Sequence, residues 1–444
     1  MKKIVIIGAV GGGATAAGQV RFYDPDARIT VFDRDSTMSY AACGTPYVIG
    51  DVIEDERSII MTDPESFKKK RDIDVKLRHE VLEIDREAKT VLVQNMGNGE
   101  QFKEPYDALI LAPGGSAIVP EVEGLDTSKV FTLRNYEDMQ RIDQFIKTQH
   151  PKNCVVSGGG FIGLEMAENL KNIGLDVTLV HKSAAIMSIL DLDISLIIEK
   201  ELAVQGVKLL TGTAIEKTQG KTIKLTNGIE LEADFIIMSI GLRPNTGLAV
   251  KSGLKIGETG GIQTNEYMLT NDPSIYAIGD ASENFDMVTG DPKRVPLASP
   301  AHRQAFIAAR HLTGDKIAKK GLLGTSVLKI FSLTAAMTGL NEQAIKDKNL
   351  QSATVIHTGN SNAGYYPEHS KLTLKVHYDP QTRKILGAQC IGGKGVDKRI
   401  DVIVTAIYGG LTVDDLQALE LCYAPPYSSP KDPINMIGYK TIDN

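Results

Sequence analysis

An α/β fold, with two doubly wound parallel-sheet domains and a third, α+β domain, is what this sequence of 444 residues predicts. Three observations predict it. A pattern of apolar strand, glycine cluster, helix and second strand occurs twice, over 3–34 and 153–182, and each copy is a βαβ unit of the kind that builds a parallel sheet. Each copy is followed by a matching strand that closes on a small residue and glycine, Ala108-Leu109-Ile110-Leu111-Ala112-Pro113-Gly114 and Phe235-Ile236-Ile237-Met238-Ser239-Ile240-Gly241. From about Leu323 the pattern changes to alternating strands at 354–357, 372–377 and 384–391, a helix near 400–408 and a proline-rich stretch at 423–433.

Composition bounds the function. Apolar residues make up 42% and charged residues 23%, the balance of a globular chain long enough for two or three domains. A net charge of −6 argues against a general nucleic-acid or anionic-membrane surface and leaves small molecules as partners. No run of about 18 apolar residues exists to span a bilayer. The four cysteines, Cys43, Cys154, Cys390 and Cys422, make neither a disulfide framework nor a CxxC pair for zinc or a dithiol, so no metal is expected and a reducing cytoplasm fits.

Taken in order, Ile4-Val5-Ile6-Ile7 reads as a buried first strand. Behind Met1-Lys2-Lys3 it superficially resembles a secretory signal, but glycines interrupt the apolar run too soon. In the turn Gly8-Ala9-Val10-Gly11-Gly12-Gly13, Gly8 makes the tight turn and Gly13 lets helix pack on strand. A pyrophosphate is expected on the helix N-terminus, where unpaired N–H groups and the dipole favour negative charge. Val10 replaces the middle glycine of G-x-G-x-x-G, so this copy is imperfect. Asp33 ends the second strand, where an acid can hydrogen-bond a ribose hydroxyl or simply face solvent. Arg34 follows it.

The second fingerprint is complete, Gly158, Gly160 and Gly163, and its helix carries Glu165, expected where nicotinamide meets flavin. Its second strand ends in His181-Lys182 instead of an acid. That removes repulsion toward a 2′-phosphate, so NADPH is expected to be accepted alongside NADH; otherwise His181 is merely a strand-end histidine. Two non-identical Rossmann-like fingerprints give one site for FAD and one for NADPH or NADH, hydride passing from nicotinamide to flavin.

A strand over 274–278 ends in Gly279-Asp280, and a helical stretch carries Ala301-His302-Arg303-Gln304; both are expected to return to the first domain. The domains expected are 1–115 and 246–322 for FAD with 116–149 a connecting segment within it, 150–245 for NAD(P)H, and 323–444 for dimerisation. Gly12, Gly114, Gly241, Gly279, Asp280 and Ala298 join the fingerprint residues as candidate cofactor contacts.

The segment Ser39-Tyr40-Ala41-Ala42-Cys43-Gly44-Thr45-Pro46-Tyr47 follows closely on Asp33, which places Cys43 near the FAD. A lone cysteine has no dithiol partner, so any disulfide it makes is with a substrate, and attack requires a thiolate. Cys154, beside a glycine turn, and Cys390, in a strand, read as small buried apolar residues, and Cys422 as structural.

Together these motifs resemble the coenzyme A disulfide reductases, in the single-cysteine branch of the pyridine nucleotide-disulfide oxidoreductase family, over essentially the full length. The cysteine segment and Tyr423-Ala424-Pro425-Pro426-Tyr427-Ser428 are the most specific parts. The resemblance implies that Cys43 attacks coenzyme A disulfide, releases one thiol and holds the other as a mixed disulfide. It implies a two-fold homodimer with shared active sites, in which Tyr365 and Tyr423 from the other subunit stand beside the sulfur as proton donor or hydrogen-bond partner. It also implies coenzyme A contacts at Thr15, Gln19, Ser39, Ala42 and Arg71, with Lys431 and Tyr439 from the other subunit. Arg71 ends the run Lys68-Lys69-Lys70-Arg71, which either meets coenzyme A phosphates or is a solvated helix face.

The pair Gly44-Thr45 after the cysteine differs from some relatives and bears on substrate preference. Two other readings stay open: an NAD(P)H oxidase reducing oxygen at flavin and Cys43, and a reductase docking a protein electron carrier such as a ferredoxin. Peroxidase members carry a histidine where this chain has Val10, and a non-catalytic nucleotide-binding module would not need intact fingerprints.

Overall fold

In the computed structural model, which describes residues 1–442, the first apolar run is the strand Lys3–Ile7, buried from its second residue onward. A strand buried on both faces belongs inside a parallel sheet. The sheet runs Ile275–Ala277, Ala108–Leu111, Lys3–Ile7, Arg28–Phe32, Asp74–Lys76, all parallel. The crossover helix Gly11–Tyr23 buries Gly13, Ala16, Ala17 and Val20. Ala305, Ala308 and Ala309 of the helix Ala298–Leu312 join them in one core. Alanine on both surfaces lets the two helices approach closely.

The chain falls into two compact units. The first holds Met1–Val119, Thr132–Gln149 and Gly241–Leu322, so it is discontinuous in sequence; the second holds Pro120–Phe131, His150–Ile240 and the chain from Leu323. The segment 116–149 is divided between them, because the strand Val130–Phe131 pairs with Phe235–Met238 in the second unit. There the duplicated sheet runs Lys208–Leu210, Asp176–Val180, Asn153–Ser157, Phe235–Met238, Val130–Phe131, again all parallel.

The duplication extends to a three-stranded antiparallel meander after each crossover: His79–Asp85, Thr90–Asn95 and Gln101–Pro105 in the first unit, Ile215–Gln219, Thr222–Leu225 and Glu230–Glu232 in the second.

From Leu323 the chain forms a five-stranded antiparallel sheet. Its order is Ser326–Ile330, Leu333–Gly339, Ile385–Gly392, Lys371–Tyr378, Ala353–Asn360. Leu372, Leu374, Val376 and Cys390 on the sheet pack with Ile400 and Ile403 of the helix Val396–Gly409. This is the α+β architecture expected, with a leading hairpin, Ser326–Gly339, that the pattern did not mark. Among the described residues no helix is long and apolar enough to cross a membrane.

Candidate active site

In the first unit Gly8, Gly12, Gly13, Asp33, Gly114, Gly279 and Asp280 all lie just beyond the carboxyl ends of the parallel strands, where open α/β sheets bind ligands. Gly8, at φ +103°, passes so close to Ala112 that a Cβ would sit 2.2 Å from its carbonyl oxygen, and a Cβ on Gly13 would meet the carbonyl of Gly8. The turn is therefore drawn tight under the start of the first helix. Asp33 closes it. Ala9 N–H donates to Asp33 Oδ2 at 2.6 Å and Asp35 N–H to Oδ1 at 2.9 Å, while burial pushes the carboxyl above its usual pKa against those hydrogen bonds. Arg34, by contrast, is exposed, 4.0 Å from Glu80.

Two further side chains complete this end, Arg134, which the sequence did not mark, and Gln304, which it placed on a returning helix without a role. Arg134 donates to Gly115 O at 2.6 Å and to Asp280 Oδ2 at 3.0 Å, and its guanidinium covers Gly114. Gln304, buried in the helix that Ala298 begins, accepts from Gly279 N–H at 2.6 Å. Neither belongs to a glycine motif, and each acts through a contact distant in sequence, so no local signal marks them.

Cys43 sits in a single 3-10 turn, Ala42–Gly44, ahead of the short helix Thr45–Ile49, and is exposed. Thr45 Oγ1 donates to Ala42 O at 2.8 Å. The loop is tied down on two sides: Ser39 N–H donates to Ala9 O in the first glycine turn, and Ala41 N–H to Ile59 O, both at 2.8 Å. A Cβ at Gly44 would press on Ile59 at 2.9 Å, so the residue after the cysteine is held small. Cys154 and Cys390 are buried, their thiols pushed up, to about 12 for Cys154. Cys422 is exposed.

The first helix also carries Thr15, 2.7 Å from His302 Nδ1, and, one turn on, Gln19. The helix Pro64–Arg71 is capped by Asp63 and brings Arg71 beside Gly18, 3.2 Å from where a Cβ would stand. Thr15, Gln19 and Arg71 thus gather about one helix. Lys68 of the same basic run is paired with Asp72 at 2.6 Å and Asp74 at 3.1 Å.

In the second unit Gly158 and Gly163 repeat the tight turn, and Gly160, the residue before the helix Phe161–Asn172, opens onto empty space. Glu165 is raised to about 7 by burial and by Glu168. The ring of His181 turns inward: its Nδ1 accepts from Gly159 N–H at 3.0 Å, and burial lowers its pKa. It is a neutral brace for the glycine turn, whereas Lys182 is exposed. Gly241, at φ +135°, falls in the first unit and accepts from Ile118 N–H at 3.0 Å. Both turns sit at the start of a helix, and the open space at Gly160 and the half-buried Gly11 and Gly12 fit a dinucleotide.

Tyr365 and Tyr423, far apart in sequence, meet with their hydroxyls 3.2 Å apart, yet are 76% and 46% exposed. Their hydrogen bond raises the pKa of Tyr423. Lys431 lies over the ring of Tyr439, 5.4 Å from its centre.

The chain matches the pyridine nucleotide-disulphide oxidoreductase family over residues 2–305 and the dimerisation domain of that family over residues 325–432. It belongs to this family. Among members, a coenzyme A disulfide reductase of Staphylococcus aureus (strain JH9) is 43% identical over 441 residues, 99% of this chain and 100% of that one. The structure of reduced Bacillus anthracis CoADR-RHD is 40% identical with a TM-score of 0.97, covering 100% of this chain and 80% of the other. A water-forming NADH oxidase from Lactobacillus brevis bound to NADH is 29% identical with a TM-score of 0.95, covering 100% and 98%. The family accounts for the duplicated parallel-sheet architecture and for its two glycine turns.

Proposed function

We propose that this protein reduces coenzyme A disulfide to two coenzyme A thiols with NAD(P)H, using FAD and a mixed disulfide on Cys43. The observation that carries this reading is the placement of Cys43: an exposed thiol on a loop hydrogen-bonded to the first glycine turn, while Cys154 and Cys390 are buried. The name of the Staphylococcus aureus relative supports the choice of disulfide.

The Cys43 thiolate attacks one sulfur of the disulfide, forming a bond to one coenzyme A and expelling the other as a thiolate. Tyr365 and Tyr423, supplied by the second subunit of a homodimer, hold a hydroxyl pair that can give that thiolate a proton. When bound, the nicotinamide and flavin supply the two electrons that split the mixed disulfide and restore Cys43.

On this reading 1–115 and 246–322 bind FAD, 150–240 binds NAD(P)H and 323–444 makes the dimer. Thr15, Gln19, Ser39, Ala42 and Arg71 receive coenzyme A, and Lys431 and Tyr439 reach it from the other subunit. With His181 neutral and engaged, a 2′-phosphate is left to Lys182. A reaction that yields thiols fits a reducing cytoplasm.

Cys43→Ser tests the assignment: it should retain FAD and lose disulfide reduction, and mass spectrometry should find coenzyme A on the wild-type chain alone after one oxidising turnover. Retained turnover in the variant overturns the reading.

A further inference from the structure

We propose that Arg399 is a positioning residue that sets the geometry of the Tyr365–Tyr423 hydroxyl pair; the proposal rests on the catalytic reading of those tyrosines given above. Rings that are 76% and 46% exposed are held only in part by packing, so their hydroxyl contact depends on how the backbones beneath them are fixed. Tyr365 stands on the loop between the strands Ala353–Asn360 and Lys371–Tyr378. Tyr423 stands on the loop between the 3-10 turn Asp415–Ala418 and the helix Pro433–Ile442.

One side chain grips both loops from below. Arg399, 1% exposed, donates from Nη2 to Ser361 O at 2.9 Å, at the root of the first loop. It also donates from Nη2 to Asp432 Oδ2 at 2.7 Å and from Nε to Asp432 Oδ1 at 3.2 Å, at the end of the second. Nη1 is engaged by Gly395 O at 2.9 Å.

Asp432 in turn accepts from Ser428 Oγ at 2.5 Å, drawing in the chain just beyond Tyr427. Nearer the tyrosines a second tie closes the gap, where Ala363 N–H at 3.2 Å and Asn362 Nδ2 at 3.3 Å both donate to Pro425 O.

A buried ion pair is a poor source of stability, because desolvating both charges offsets their attraction, but its fixed geometry can hold one arrangement against others. The planar guanidinium suits this task. It reaches a carboxylate with two nitrogens and a carbonyl in another direction at once, which a lysine ammonium on a flexible stem does not reproduce.

The test uses the FAD-loaded enzyme and two variants, Arg399→Lys and Asn362→Ala. For each, kcat and KM with coenzyme A disulfide are compared with ferricyanide reduction, which needs the cofactors but not the tyrosines. Arg399→Lys is then repeated in a Tyr365→Phe/Tyr423→Phe background.

Expected are a fall of about tenfold in kcat, with KM for the disulfide and the ferricyanide rate unchanged, and a further change of less than about twofold when the hydroxyls are already gone. An unchanged kcat in Arg399→Lys, or the same tenfold loss in the Phe background, overturns the proposal. If Arg399→Lys does not fold, Asp432→Asn, which loosens the same guanidinium grip, is read alone and in the Phe background by the same criteria. If the double Phe variant itself turns over at the wild-type rate, the catalytic reading of the tyrosines fails first, which is a different result from Arg399 acting elsewhere.

Discussion

Glu165 shows how much a single residue's surroundings decide. Its carboxyl is raised from near 4.5 to about 7 by burial and by Glu168. The folded pKa lies above the unfolded one, so folding favours the protonated form. Stability is fullest below about pH 4.5 and declines as pH rises through about 7. Glu165→Gln removes that dependence: its melting temperature should stay nearly flat from pH 5 to 8 while the wild type falls, and parallel curves would contradict the assignment. At the neighbouring strand end, Lys182→Ala should raise KM for NADPH about tenfold or more, the scale of a lost charged hydrogen bond, and leave KM for NADH unchanged. Equal effects on both cofactors would remove Lys182 from 2′-phosphate recognition. The sequence marked Cys43, Glu165 and the glycines because each sits inside a local motif. It did not mark the roles of Arg134, Gln304 or Arg399, which depend on partners brought together only by the fold, nor that the ring of His181 turns inward onto the Gly159 N–H.

Among the elements, the βαβ units were legible because an apolar strand, a glycine turn, a helix and a second strand follow in strict order. The meanders were not. A strand such as Gln101–Pro105 alternates exposed and half-buried residues and carries Lys103 and Glu104, so its pattern barely differs from that of a loop.

A buried polar network shows the same limit. Asp191, at the start of the helix Leu192–Val204, accepts from His377 Nε2 at 2.8 Å, Lys375 Nζ at 2.9 Å and Glu342 N–H at 2.7 Å, all within the second unit. Burial alone would raise its pKa, but these hydrogen bonds outweigh it and hold the carboxyl well below the usual range. A depressed folded pKa gives stability that is present above about pH 4 and lost as pH falls through the acid range. Asp191→Ala leaves Lys375 buried without its main partner and should cost about 3–5 kcal/mol in urea unfolding at pH 7. A loss below about 1 kcal/mol, the scale of an exposed pair, would mean the network relaxes onto solvent.

For the whole molecule, the family's dimerisation domain over residues 325–432 and the exposure of Tyr365, Tyr423, Tyr427 and Tyr439 both point to a second copy. Light scattering should give twice the 48.1 kDa chain mass, and a monomer retaining full disulfide turnover would contradict the shared active site. The duplicated architecture was readable from the repeated strand-glycine-helix pattern, while the division of 116–149 between two units was not, since it depends on where Val130–Phe131 finds its sheet. The most direct test of the central claim is anaerobic NADPH and NADH oxidation by the FAD-loaded protein with coenzyme A disulfide, glutathione disulfide and cystine in parallel, repeated in air without any disulfide. The account predicts rapid turnover with coenzyme A disulfide, little with the other two, and none in Cys43→Ser; turnover only in air would make oxygen the acceptor and contradict it.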